Sequence, residues 1–218
     1  MIPERGQNVR VPNPCPVSTA RLEAFSDGVI AVAVTLLVLD ITVPTLRGHE
    51  TLVHALLEQW PKYAAYLVSF MTIGIIWINH HLMINRLRTA DRMILTLNLL
   101  LLATIAVLPF ATSLFATYLK EGQGQKLAAG VYAGSFLVMS LAFAALNRHI
   151  LMRKTHLLAV QIPPERRRLI QRRMTTGLIP YAVATALAAV SPYITLAVCA
   201  ALGVFYALPV SSGPETAA

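Results

Sequence analysis

The sequence predicts an all-α integral membrane protein whose subunit crosses the bilayer six times, with both termini cytoplasmic. Three observations carry this. Of 218 residues, 56% are hydrophobic and 13% charged, and mean hydropathy is +0.62, whereas a soluble domain carries nearer a quarter charged residues. The apolar residues gather into segments of the roughly 17–25 residues that cross a hydrocarbon core. The basic residues fall in alternate gaps between those segments, which is how topology is written in a membrane sequence. The net charge of +8 and pI of about 9.9 therefore belong to loops at a bilayer surface and not to a nucleic-acid interface.

Residues 1–20 are polar and proline-rich (Pro3, Pro12, Pro14, Pro16) and contain no apolar h-region. They read as a disordered cytoplasmic leader rather than a cleaved signal. A six-helix transmembrane domain follows over 21–210, and 211–218 reads as a flexible cytoplasmic tail. The first span covers 21–43, with Ser18 or Thr19 available as its cap and Pro44 as its stop. An amphipathic stretch at 51–59, suited to the interface, leads into the second span at 60–84. The third, 91–118, carries Pro109 and is expected to kink there. The fourth is 125–147; the fifth (172–190) and sixth (192–210) form a hairpin broken at Ser191-Pro192.

Charge supports six crossings. One side holds Arg5, Arg10 and Arg21, then Arg86, Arg88 and Arg92, then Arg148, Arg153, Lys154, Arg166, Arg167, Arg168, Arg172 and Arg173. The other holds Arg47, Lys62, Lys120 and Lys126. Five or seven crossings would divide these clusters between the faces. The run around Arg166 reads first as a solvated topogenic loop and second as a contact for anionic lipid. No internal repeat is present, so any pore is completed by other subunits.

Ionisable residues at membrane depth mark polar sites, and Arg21 to Asp27 opens the first span with two of its ends charged. At 100° per residue, Val32, Thr35, Leu36 and Leu39 share one stripe, while Asp27 lies about 140° from Val32 and turns into protein. Trp77, His80 and His81 lie near the inner end of the antiparallel second span, at the depth of Asp27, so an Asp–Trp or Asp–His hydrogen bond is available. Adjacent histidines point about 100° apart and have no nearby cysteine, which argues against a metal site. Ser26 and Asp27 are likewise neighbours on one helix and make a poor catalytic pair with His81; no enzyme activity and no cofactor are expected. Cys15 and Cys199 lie too far apart in sequence for a metal motif. No T-V-G-Y-G filter occurs. Gly130 and Gly134 permit close helix approach, a pattern common by chance.

Arg21, Phe25, Ser26 and Asp27 resemble the R-x-x-x-F-S-D motif of the endosomal/lysosomal potassium channel family (transmembrane protein 175 family), whose prokaryotic members are single six-helix units. The resemblance continues through residues 28–39 and the Trp77…His80-His81 element. It implies a homotetramer in the cell membrane, with four first helices lining a cation pathway pinched by apolar side chains. Carried over from the Asp, the constriction is Val32, Leu36 and Leu39, with Thr35 a polar layer between them. The polar network is Arg21, Phe25, Ser26, Asp27, Trp77, His80 and His81. The innermost family layer is usually Ile or Leu; Val32 here widens that ring. Asp40, beyond Leu39, either concentrates cations at the outer mouth or pairs with Arg47.

The expected function is a potassium-preferring cation channel, with passage of other monovalent cations open. The alternative is a proton-coupled carrier or proton leak using Asp27 and His80 or His81; against a carrier stands the absence of an inverted repeat. A third reading is an accessory protein without transport of its own.

Overall fold

The computed structural model describes residues 18–46, 48–49 and 51–207; the expected tail and most of the expected leader lie outside them. Ser18 to Ala20 do not belong to a leader. Ser18 is the N-cap of the first helix, its side-chain oxygen accepting the Arg21 N–H at 3.4 Å, which satisfies one of the amides a helix start leaves unpaired. Helix α1 runs Thr19–Leu36 and tightens into a 3-10 turn at Leu37–Asp40, ending short of the expected stop at Pro44. The Ile41 N–H caps that turn on the Val38 carbonyl.

Thr51 caps α2, Leu52–Glu58, the short interfacial helix. Helix α3 is Trp60–Ile84, with Pro61 in its first turn, where a missing N–H costs nothing. Helix α4 is Arg92–Tyr118 and continues through Pro109. Gly124, at φ +76, supplies the left-handed turn that starts α5, Gln125–Arg148. That helix widens into a π turn at His149–Arg153 before the chain turns away.

The expected fifth span is divided. A basic helix, α6 (Pro164–Thr176), is separated at Gly177 from a ten-residue apolar helix, α7 (Leu178–Leu187), and α8 follows as Pro192–Ala207. The chain packs closely at this point: a side chain on Gly177 would begin 3.0 Å from the Tyr206 hydroxyl of α8. Among the described residues, four helical segments are long and apolar enough to cross a membrane: Thr19–Asp40, Trp60–Ile84, Arg92–Tyr118 and Gln125–Arg153.

Helix α4 is central, packed by α1, α3 and α5; α5 carries α7 and α8, and α8 returns to α3. Gly130 and Gly134 face Ala188 and Thr185, so the glycine pair seats α7 close to α5. The core is an aromatic column. Phe115 stacks on Tyr132 at 4.6 Å, and Tyr132 meets Phe136 edge-on at 4.8 Å. The buried Tyr132 hydroxyl is satisfied by Ser69 at 3.1 Å, and Ser69 by Thr112 at 2.8 Å, as polar groups away from water require. One end of the bundle carries an aromatic and lysine belt: Trp60 stacks on Tyr193, with Lys120 over the Trp60 ring.

The opposite, arginine-rich end is stapled. The Arg88 N–H donates to Leu157 O and the Ala159 N–H to Arg86 O, both at 2.8 Å, joining the α3–α4 turn to the segment after α5. Asp91 caps α4 through Ile94 N–H at 2.9 Å and pairs with Lys154 at 2.9 Å. Burial pushes the Asp91 carboxyl up, but hydrogen bonds from Lys154 and Ile94, with the Lys154 charge, outweigh it and hold its pKa below the usual value. Because the folded pKa is depressed, this stabilisation is complete above the unfolded pKa and is lost as pH falls through the folded value. Asp91→Asn keeps the cap but not the charge, so it should cost at most about 1 kcal/mol at neutral pH. In detergent thermal melts, parent and variant should converge as the solution is acidified below about pH 4. A gap that persists there means the ion pair is not its source.

Candidate functional site

Among the described residues, nothing covers one face of α1. Leu22, Ser26, Ile30, Ala33 and Leu37 point inward and are buried, at spacings of three and four. The other side is apolar and open: Phe25, Val32, Leu36 and Leu39 are 54%, 58%, 45% and 69% exposed. Nothing approaches within 4 Å of the position a Gly28 Cβ would take. A shallow recess of about 520 Å³ follows this side, between Phe25, Gly28, Val32 and Leu36 of α1 and Ala106 of α4.

Thr35 sits within the strip, and its hydroxyl donates inward to the Ala31 and Val32 carbonyls at 3.0 and 2.9 Å. With its proton committed to the backbone, the oxygen presents only lone pairs outward. Beyond the strip, Ser113 of α4 donates to Asp40 Oδ1 at 2.6 Å. Arg47, the other partner considered for Asp40, lies outside the described residues.

The inner end of α1 is fixed by two polar arrangements. In the first, the Trp77 indole N–H donates to Asp27 Oδ1 at 2.8 Å across α1 and α3. Neither histidine is the bonded partner of that carboxylate. His81 Nδ1 lies 2.8 Å from Glu23 Oε1, and Asn85 Nδ2 lies 2.9 Å from His81 Nε2. The Asn85 amide nitrogen can only donate, which leaves the ring proton on Nδ1, and Glu23 stands beside that nitrogen as a close contact rather than a hydrogen-bond acceptor. No side-chain bond joins Arg21 to Asp27 among the described residues, and Phe25 projects outward.

The second arrangement is fully buried. Ser26 O–H donates to the Leu22 carbonyl at 2.8 Å, so its oxygen must accept from Asn98 Nδ2, 2.9 Å away. That orientation turns Asn98 Oδ1 to His80 Nε2 at 2.8 Å and requires the His80 proton to sit on Nε2. Three helices are thereby joined by one directional chain, His80 (α3) to Asn98 (α4) to Ser26 (α1). His80, Asn98 and Ser26 have no exposed surface. Asn98 and Glu23 had not been singled out in the sequence. A lone Asn inside an apolar run, as Asn98 is between Leu97 and Leu99, was the available signal. Among the described residues, no three His, Cys, Asp or Glu side chains are grouped to hold a metal ion.

A sequence model of the family described as endosomal/lysosomal potassium channel TMEM175 matches residues 21–109. A potassium channel of Streptomyces collinus is 44% identical over 188 residues, covering 86% of this chain and 91% of that protein. The crystal structure of a lysosomal potassium-selective channel TMEM175 homolog from Chamaesiphon minutus superposes with a TM-score of 0.77 at 36% identity, over 90% of this chain and 98% of that one. The endosomal/lysosomal proton channel TMEM175 of Homo sapiens is 42% identical over 112 residues, a match that spans 22% of its length. Identity of this extent along nearly the whole length of a relative, with the same helical architecture, means that this multi-pass membrane chain belongs to the TMEM175 family of ion channels, which are not enzymes.

Proposed function

We propose that the chain is a potassium-preferring cation channel of the cell membrane that works as a homotetramer, with four α1 helices lining the pathway. The observation that carries this reading is the open apolar strip of α1, on a helix whose other side is fully used by α3 and α4. Further copies of the same strip are its natural cover, because four faces closing on one axis make a ring at each level. Val32, Leu36 and Leu39 are the constriction, with Thr35 oxygens between them. Asp40 flanks the outer mouth, and the Asp27 and His80 arrangements set the rotation of α1. In this reading α7, with the end of α6, and α8 make the fifth and sixth crossings, and both termini are cytoplasmic. Relatives named potassium channels support the choice of ion.

The physics of such a ring makes closed the resting state. A cation stripped of water in hydrocarbon costs many kcal/mol, so conduction requires the ring to widen and wet. Potassium is easier to dehydrate than sodium, which gives preference without a carbonyl filter.

A second reading, proton passage with Asp27 and His80 or His81 as the titratable groups, is supported by relatives named proton channels. Purified protein in liposomes separates the two. A potassium gradient, with a protonophore as the charge-balancing path, should collapse through the channel at neutral pH, while an imposed proton gradient, with valinomycin and equal potassium on both sides as its charge-balancing path, should persist. The reverse outcome makes the protein a proton pathway; flux under neither gradient leaves no transport function.

A further inference from the structure

At the arginine-rich end, the π turn His149–Arg153 interrupts the regular helix, and such turns recur at functional sites. Its geometric effect is specific. On an α-helix, residues five apart point about 140° away from each other; the wider π turn brings Arg153 round to the side of Arg148. Both arginines and His149 line one recess of about 270 Å³, walled by Leu97 of α4 and Ala145 of α5. Arg167 of α6 braces the turn from outside by donating to the Leu151 carbonyl at 3.2 Å.

The recess gathers donors and lacks acceptors. Neither Arg148 nor Arg153 has a side-chain hydrogen bond or ion pair with any described residue, and both are exposed. The nearby Asp91 carboxylate is committed to Lys154 and to the α4 cap. His149 Nε2 is buried beside the arginines without a hydrogen-bond partner. Two guanidinium forks and an imidazole lining one recess suit the tetrahedral oxygens of a phosphate. The recess lies at the arginine-rich end of the apolar α4 and α5, the level at which a membrane-spanning helix pair meets headgroups.

We propose that this recess is a phosphate-binding site, its ligand carried by an anionic phospholipid headgroup or present as soluble phosphate. The test uses full-length purified protein in a neutral detergent, with bound ligand counted by native mass spectrometry. One arm titrates phosphatidylglycerol against phosphatidylcholine; the other repeats the titration in millimolar inorganic phosphate. Parent protein should retain phosphatidylglycerol preferentially, and R148Q/R153Q should weaken that retention roughly thirtyfold, the effect of two charges at a headgroup. R172Q/R173Q removes equal charge from exposed positions on α6 and should leave retention within about threefold of the parent. R148K/R153K, which keeps charge and loses the forks, should fall between. Gel-filtration elution at the parental volume establishes that each variant is folded. Retention that survives inorganic phosphate assigns the lipid; displacement by it assigns soluble phosphate. The site is overturned if R148Q/R153Q binds as the parent does, or if R172Q/R173Q loses as much, since diffuse surface attraction would then suffice.

Discussion

Leu36→Ser should turn the protein into a standing cation leak with reduced preference for potassium. Leu36 is open on the unpartnered side of α1, one turn from Val32 and beside Thr35. In the proposed tetramer each substitution removes four isobutyl groups and places four hydroxyls at one level of the pathway, where they can hold water. Lowering the barrier by only 1.4 kcal/mol multiplies flux about tenfold, and an apolar ring that stays wet gives up more than that. Flux of potassium and of sodium from liposomes at matched protein density is the measurement. Variant protein that assembles normally and conducts like the parent would remove α1 from the pathway. Val32 should respond in the same direction but less strongly, because its shorter side chain already leaves a wider ring.

Asn98→Ala should do its damage in folding, not in selectivity. The amide bridges His80 and Ser26 in a site without solvent access. Its removal orphans the His80 N–H, whereas Ser26 keeps its own bond to Leu22 and loses only an incoming donor. An orphaned buried donor costs about 1–3 kcal/mol, and the cavity from the lost side chain adds to it. Yield of intact assembly by gel filtration should therefore drop several-fold, since a few kcal/mol is a large share of typical stability. Reversal potentials of the surviving channels should match the parent. Asn98→Leu, which fills a similar volume without polar atoms, separates volume from hydrogen bonding. Loss of potassium preference at unchanged yield would instead place this chain on the ion's route. Asp27→Ala belongs to the same class with a smaller effect, because its bond to Trp77 lies at a half-open position; Asp27→Asn, retaining an acceptor, should be milder still.

Much of the architecture was legible because the forces behind it are local. Hydropathy over a window decides which segments leave water, and the second span, Trp60–Ile84, has the limits read from sequence. Capping is equally local: Ser18 before α1 sits where a short acceptor side chain reaches the first free amides, and Thr51 and Asp91, which the sequence reading did not single out as caps, do the same for α2 and α4. The periodic apolar stripe of α1 was visible for the same reason, since 100° per residue needs no partner to compute.

What the sequence could not decide is which way each helix turns once it is in the membrane. An apolar span is hydrophobic all round, so its rotation is set by packing and by a few polar contacts. Asp27 had three reachable donors by depth, and only the packing of α3 against α1 directs Trp77 to it, sending His80 to Asn98 and His81 to Glu23. Gly177 looks like any membrane glycine until the Tyr206 hydroxyl of α8 is placed against it. The π turn at His149–Arg153 has no sequence signature; α6 braces it through Arg167 and Leu151, and Arg148 and Arg153 line one recess there. Composition and periodicity determined that this chain crosses a membrane and which residues share a stripe on α1. Tertiary packing determined that the stripe is left open, because α3 and α4 together cover only one side of that helix.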